Sequence, residues 1–363
     1  MQGTSWASRV LAVGPLPPPT HGVSVANSIL AHAYPELRFF SPSVGKSSVK
    51  GMGKLNIRNA FSAGLALWRY ARVDKTEWLY VCLSQNRMGL LRDSAILDMT
   101  PRSIPVVLHI HGGGFPDALR SLARAERRSV LVALRRARAV LVLHDKFSQP
   151  VQEVMPWATV RTVQNGCYPI ADEPIARPQR DVLTLLYVGG LFRSKGIVDA
   201  VDAVGILNQP RVRSRIVLAG ELPDRNTIRA LRQSIGYPWL EMPGSVSGDY
   251  KHRLFERADI FIMPSAYPLE GQPLALLEAM SASLPIIATE HAAISETVGP
   301  GGAIFVPKHD PVAIVHAVEM LMEHGDRVRE MGLASFQRFV DHAYDDAGFA
   351  KRWGEAMLQI MGS

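Results

Sequence analysis

One stretch, Asp259 to Thr289, constrains the fold of this chain more than any other. Ile260 to Met263 is a short apolar run, of the length and composition of a strand buried on both faces. Pro264 and Ser265 stop it. A loop with Glu270 and Gly271 follows, and Pro273 suits the first turn of a helix, where its missing N–H costs nothing. The helix runs on through Glu278 and Met280, and Leu284 to Ala288 reads as the next strand. The order strand, loop, helix, strand predicts two parallel strands joined by a right-handed crossover.

The loop of such a unit lies at the carboxyl end of its strand, where open α/β sheets bind ligands. The helix start offers unpaired N–H groups and a positive dipole end, which suit a phosphate. Glu270 and Glu278 bracket this place with seven residues between them. Two carboxylates beside a phosphate site make electrostatic sense when they accept hydrogen bonds from neutral hydroxyls, such as those of a ribose and a sugar. The residues thus suggest a nucleotide sugar. An ordinary crossover with two solvated glutamates is the alternative.

The stretch resembles the Glu-x7-Glu signature of the retaining glycosyltransferases of family 4, the "group 1" family with the GT-B fold. The flanks agree: Pro264-Ser265 after the strand, Glu270-Gly271, Pro273-Leu274, and Leu277-Glu278-Ala279-Met280 before Leu284-Pro285-Ile286. The resemblance implies an α/β protein of two Rossmann-like domains facing across a cleft.

Size and composition agree with two domains. The chain has 363 residues, 47% hydrophobic and 20% charged. Cys82 and Cys167 lack pairing or metal-ligand spacing and read as small core residues of a reducing compartment. Met1 to Arg9 lacks the order of a signal peptide, and no apolar run is long enough for a membrane span, so a cytoplasmic protein is expected. The net charge of +7 favours anionic partners.

In the first part of the chain, Val10 to Val13 is a strand that leads through a Gly/Pro loop to His21-Gly22 and a helix. The loop lacks G-x-G-x-x-G, so a dinucleotide site is not indicated. The resemblance places Gly22 near the donor phosphates; a rigid turn entering a helix is an equal reading. Lys46, Lys50 and Lys54 form a basic loop. Gly45-Lys46-Ser47 looks like the end of a phosphate-binding loop, but Phe40 stands where its first glycine belongs.

Trp78 to Leu83 and Val106 to Ile110 are further strands. The second ends in His109-Ile110-His111-Gly112-Gly113-Gly114, and alternation puts His109 and His111 on one side. An oxyanion loop of a hydrolase would need a Gly-x-Ser-x-Gly elbow. Gly244-Ser245-Val246-Ser247-Gly248 has Val at the nucleophile position, and that reading fails. The resemblance places His111 beside the transferred sugar, with His109 in packing. Ala118 to Arg138 reads as one helix with Arg120, Arg124, Arg127 and Arg128 in a stripe, and Arg135, Arg136 and Arg138 adding to it. The stripe is either a solvated face or a seat on an anionic membrane. Val140 to Leu143 and Val160 to Val163 complete the first sheet.

The boundaries follow: residues 1–170 as an acceptor-side domain, 171–180 as a linker, 181–340 as the nucleotide-sugar domain, and 341–363 as a helix crossing back to the first domain. In the second domain the strand Leu183 to Val188 precedes Gly189-Gly190-Leu191-Phe192-Arg193-Ser194-Lys195-Gly196. Glycines with a following cation describe an anion-binding loop. The family pattern has an arginine where this chain has Gly190; Lys195-Gly196 matches, and Arg193 lies in the same loop. Met242 to Tyr250 reads as a loop, and the resemblance brings Val246 near the nucleobase.

The resemblance implies these roles. Glu278 binds the ribose, Glu270 the donor sugar, and the backbone of Gly271, Gln272, Pro273 and Leu274 the diphosphate. Lys195, with Arg193, neutralises the leaving group. No Asp-x-Asp occurs, so metal-independent transfer with no cofactor is expected, to a saccharide or lipid-linked acceptor of a surface polysaccharide, with no nucleic-acid partner. An epimerase or sugar-phosphate synthase of the same fold, or a non-catalytic basic module, are the alternatives.

Overall fold

Short apolar runs separated by amphipathic segments fold into parallel sheets only if helices cover both faces. The computed structural model describes residues 6–41, 76–178, 180–221 and 225–362, and among them the runs form two sheets of six parallel strands. The chain divides into two compact units: Met1–Gly166 with Asp346–Ser363, and Cys167–Asp345. Lys46, Lys50 and Lys54 lie outside the described residues.

The first sheet contains β1 (Val10–Val13), β2 (Arg38–Phe40), β3 (Trp78–Leu83), β4 (Val106–Ile110), β5 (Ala137–Val142) and β6 (Thr159–Thr162), in the order β2-β1-β3-β4-β5-β6. Both faces are covered. Leu11 and Val13 pack into one apolar cluster, while Val10 and Ala12 pack into the other. That second cluster receives the last helix, Asp346–Met361. Its Phe349, Trp353, Met357 and Ile360 recur at helical spacing and are buried. The Trp353 ring meets Trp6, Tyr34 and Tyr80 at centroid distances of 5.6, 5.4 and 5.3 Å, and Tyr34 Oη donates to the Ala350 carbonyl at 2.9 Å.

The second sheet contains β7 (Leu183–Val188), β8 (Ser214–Ala219), β9 (Leu240–Gly244), β10 (Ile260–Met263), β11 (Ile286–Ala288) and β12 (Ala303–Phe305), in the order β12-β11-β10-β7-β8-β9. Ile260 and Ile262 enter one cluster and Phe261 and Met263 the other, so the apolar run of β10 is buried on both faces. β10 and β11 are parallel, with Phe261 opposite Ile286. The strand order reverses between β7 and β10. Ligands of doubly wound sheets bind outside the carboxyl ends of the strands at this switch point.

Several expected boundaries move. The stretch Ala118 to Arg138 is two helices, Phe115–Ser121 and Arg124–Leu134, separated by extended backbone at Leu122 and Ala123, and Arg138 lies in β5. Met242 to Gly244 belong to β9 and Tyr250 to the helix Gly248–Arg257, so the loop shrinks to Ser245–Ser247. Pro273 caps the helix Leu274–Ser281 in an extended conformation (ψ 130°) and is not in its first turn. Residues 171–178 belong to the second unit. The Arg177 guanidinium donates to the carbonyls of Ala258 and Ser283 at 2.8 and 2.9 Å, and burial pushes its pKa down to about 10.

Candidate functional site

The site grows from the two strand ends at the switch point of the second sheet. After β7 the chain turns through Gly189-Gly190 into a short 3-10 turn, Arg193–Lys195. Gly196 closes that turn at φ +74°, and a Cβ there would lie 2.1 Å from the Pro264 carbonyl oxygen. Only glycine lets the β7 loop touch the β10 loop so closely. The Ala266 N–H then donates to the Ser194 carbonyl at 2.8 Å and stitches the two loops together.

The β10 loop is held from below. Thr289 Oγ1 donates to the Ser265 carbonyl at 2.6 Å, and the Ala293 N–H to the Gly271 carbonyl at 3.3 Å. His291 Nε2 lies 2.7 Å from the Tyr267 carbonyl, so this nitrogen carries the proton and donates. Nδ1 is then the acceptor for Lys308 Nζ at 2.9 Å. Gln272 is buried, and its side-chain amide donates to the Thr297 hydroxyl at 3.2 Å.

Glu270 is 6% exposed, and Lys195 Nζ donates to both its oxygens, at 2.8 and 2.7 Å. Ser265 Oγ adds a 2.7 Å bond to Oε2. The Lys195 ammonium also lies 4.6 Å from the centre of the Tyr267 ring, which stacks on Phe192. A Cβ at Gly190 would meet the Phe192 ring at 2.7 Å, so a side chain there requires that ring to shift. Arg193 is exposed, and its charge partly offsets the rise that burial gives the Asp202 carboxyl.

Glu278 is 7% exposed and is paired with Lys251 Nζ at 2.5 Å. Burial pushes the Glu278 carboxyl above its ordinary range; the Lys251 ammonium pulls it back, with His252 acting in the same sense. Buried carboxylates survive as charges only with such partners. Lys251 has no signal in the sequence, since it comes 27 residues before Glu278 on another helix and meets it only through the fold. Val246 is half-buried and packs, like Leu274, against the core under this site.

The first unit holds the remaining candidates. Gly22 begins the helix Gly22–Ala33, which His21 caps by accepting from the Ser24 N–H at 3.3 Å. No atom lies within 4 Å of a Cβ built at Gly22, so packing does not demand glycine there. His109 and His111 stack with centroids 3.9 Å apart, and Tyr80 Oη lies 2.7 Å from His109 Nδ1. Buried His111 Nδ1 has no hydrogen-bond partner among the described residues. Gln85 fixes the glycine loop by accepting from the Gly114 N–H at 3.0 Å. Of the arginines, Arg120 pairs with Asp117 at 2.9 Å, and Arg136 donates to the Thr100 hydroxyl and the Pro101 carbonyl, both at 2.7 Å. Arg124 and Arg128 are exposed, and Arg127 is half-buried. Among the described residues no three His, Cys, Asp or Glu side chains are placed to hold a metal, and no helix is long and apolar enough to cross a membrane.

The half of the chain that carries both glutamates and both lysines answers to a known pattern. Residues 172–338 match the family model of the group 1 glycosyl transferases. WcaL of Salmonella typhimurium, named as a glycosyltransferase of colanic acid biosynthesis, is 30% identical over 138 residues, which are 36% of this chain and 34% of WcaL. The chain thus spans about a third of the length of this curated relative. Among solved structures, a sucrose-phosphate synthase of Thermosynechococcus elongatus superposes with a TM-score of 0.75 at 18% identity, over 97% of this chain and 99% of that one. HepE of Anabaena in complex with UDP-glucose gives 0.73 at 13% identity, over 96% and 99%. At these identities the likeness is one of fold, and that fold is GT-B.

Proposed function

We propose that this chain is a retaining, metal-independent glycosyltransferase that moves a sugar from a nucleotide-sugar donor to a saccharide or lipid-linked acceptor in surface polysaccharide synthesis. The observation that carries the reading is the pair of buried carboxylates, Glu270 and Glu278, each held by its own lysine on either side of a helix start. The family match over the same residues and the colanic acid assignment of WcaL support it.

In this reading Glu278 accepts hydrogen bonds from the ribose hydroxyls. Glu270 accepts them from the donor sugar. The backbone of Gly271 to Leu274 receives the diphosphate at the helix start. Lys195 has one N–H beyond the two it gives Glu270, and its charge meets the negative charge that grows as the bond between the anomeric carbon and the phosphate oxygen breaks. The departing phosphate oxygen takes the proton of the acceptor hydroxyl as that hydroxyl bonds to the anomeric carbon from the same face. Configuration is therefore retained.

Incubation with nucleotide sugars and lipid-linked acceptors, followed by mass and anomeric analysis, is expected to give nucleoside diphosphate and a product with the donor's configuration. Inversion would overturn the mechanism, and a rearranged donor formed without acceptor would identify an epimerase. The place of action proposed is the cytoplasmic membrane face, seated through Arg120, Arg124, Arg127 and Arg128. Sedimentation with vesicles should show binding to phosphatidylglycerol-rich vesicles that Arg124→Glu with Arg128→Glu removes. Equal binding to neutral phosphatidylcholine would refute it.

A further inference from the structure

The two glutamates are held differently. Lys195 grips both oxygens of Glu270, and Ser265 adds a third bond. Lys251 grips Oε1 of Glu278, and among the described residues no hydrogen bond reaches Oε2. Glu270 meets three protein donors across both its oxygens, whereas Glu278 presents an acceptor oxygen while a cation holds the other.

We propose that Lys251 is a positioning residue for nucleotide recognition: its ammonium fixes one oxygen of Glu278 and keeps the group a carboxylate, so that the other oxygen is aimed at the ribose hydroxyls. The inference rests on the role given to Glu278 above. Its physical basis is the cost of a lone buried charge. Without Lys251 the buried Glu278 carboxyl loses the cation that favours its ionised form and orders its oxygens. Hydrogen bonds to an ionised acceptor are roughly twice as strong as those between neutral groups. The ordered carboxylate also avoids the entropy of fixing a swinging side chain at the moment of binding. Lys251 can do this because the helix Gly248–Arg257 brings its half-buried side chain, 24% exposed, over the helix that carries Glu278. The arrangement makes Lys251 act on the ribose alone and leaves the diphosphate to the helix start and Lys195.

The test compares UDP, GDP, ADP and dTDP with their 2′,3′-dideoxy forms by calorimetry, on the full chain and on Lys251→Met. dTDP serves as the case with the 3′-hydroxyl alone. For the base that binds, the unaltered protein should prefer the ribose form by about tenfold or more, the worth of at least one hydrogen bond to a charged acceptor. Lys251→Met should cut that preference to about threefold or less by weakening the ribose form. Its affinity for the dideoxy form should stay within about twofold, since that form never meets Glu278. Lys251→Arg should restore most of the preference. Lys251→Gln, which keeps a donor without the charge, is read in the same way if the Met variant melts early. An unchanged preference in the neutral variants, or an equal fall for both forms, would overturn the inference while leaving the nucleotide site standing. Failure of the unaltered protein to bind any of the four would overturn the proposed function together with it.

Discussion

Lys195→Ala is expected to lower kcat by about 10²- to 10³-fold while the donor KM changes far less, because removing one preorganised charge donor from a buried site costs about that much. The argument is geometric. The ammonium, 15% exposed, sits between the Glu270 carboxylate and the face of Tyr267, in a 3-10 turn locked against the β10 loop by Gly196. A cation fixed in this way needs little reorganisation when charge develops on the leaving phosphate. Arg193 is exposed in the same turn, where water screens its charge more than it screens that of Lys195. The same substitution strips Glu270 of its ion pair, so thermal melts must accompany the kinetics. Lys195→Arg, which keeps the charge at altered reach, should recover part of the rate. Turnover equal to the unaltered enzyme in a folded Lys195→Ala protein would count decisively against the assignment.

The second large effect is on stability. Burial, with the neighbouring His21 imidazole, pushes His111 down to about 4, and burial holds His109 well below its ordinary value. Both rings are therefore neutral in the folded protein near pH 7. Between about 4 and 6.5 the unfolded chain binds more protons than the folded one. The stability contribution is thus fully present above pH 6.5 and lost as the pH falls towards 4. For His111 alone the loss is on the order of 3 kcal/mol. Denaturant unfolding at pH 7 and pH 4.5, on the full chain and on His111→Gln, measures it together with its coupling to His109 and His21, while groups distant from the pair cancel in the difference. The variant should lose less stability on acidification. An identical pH dependence in the two proteins would show that the imidazole is not held neutral.

Much of this was legible in the residues. Short apolar runs such as Val10–Val13 and Ile260–Met263 became strands buried on both faces, because parallel sheets tolerate no polar alternation. The spacing of Glu270 and Glu278 led to the switch point because a helix start after a strand has one place to go in such a sheet. What failed did so for identifiable reasons. Arginine periodicity ran on across Leu122 and Ala123, where the backbone is extended, so charge spacing suggested one helix where two exist. Pro273 has the φ that suits either a cap or a first turn, and only its ψ, set by the loop, decides. Lys251 was invisible, since a pairing across two helices has no period.

The claim at the centre is that Glu270, Glu278 and the helix between them form a nucleotide-sugar site. The most direct measurement is calorimetric titration of nucleoside diphosphates into the unaltered chain and into Glu278→Ala. The account predicts saturable binding at one site per chain for at least one base, weakened about tenfold or more in the variant. Equal affinity in the two proteins would contradict it.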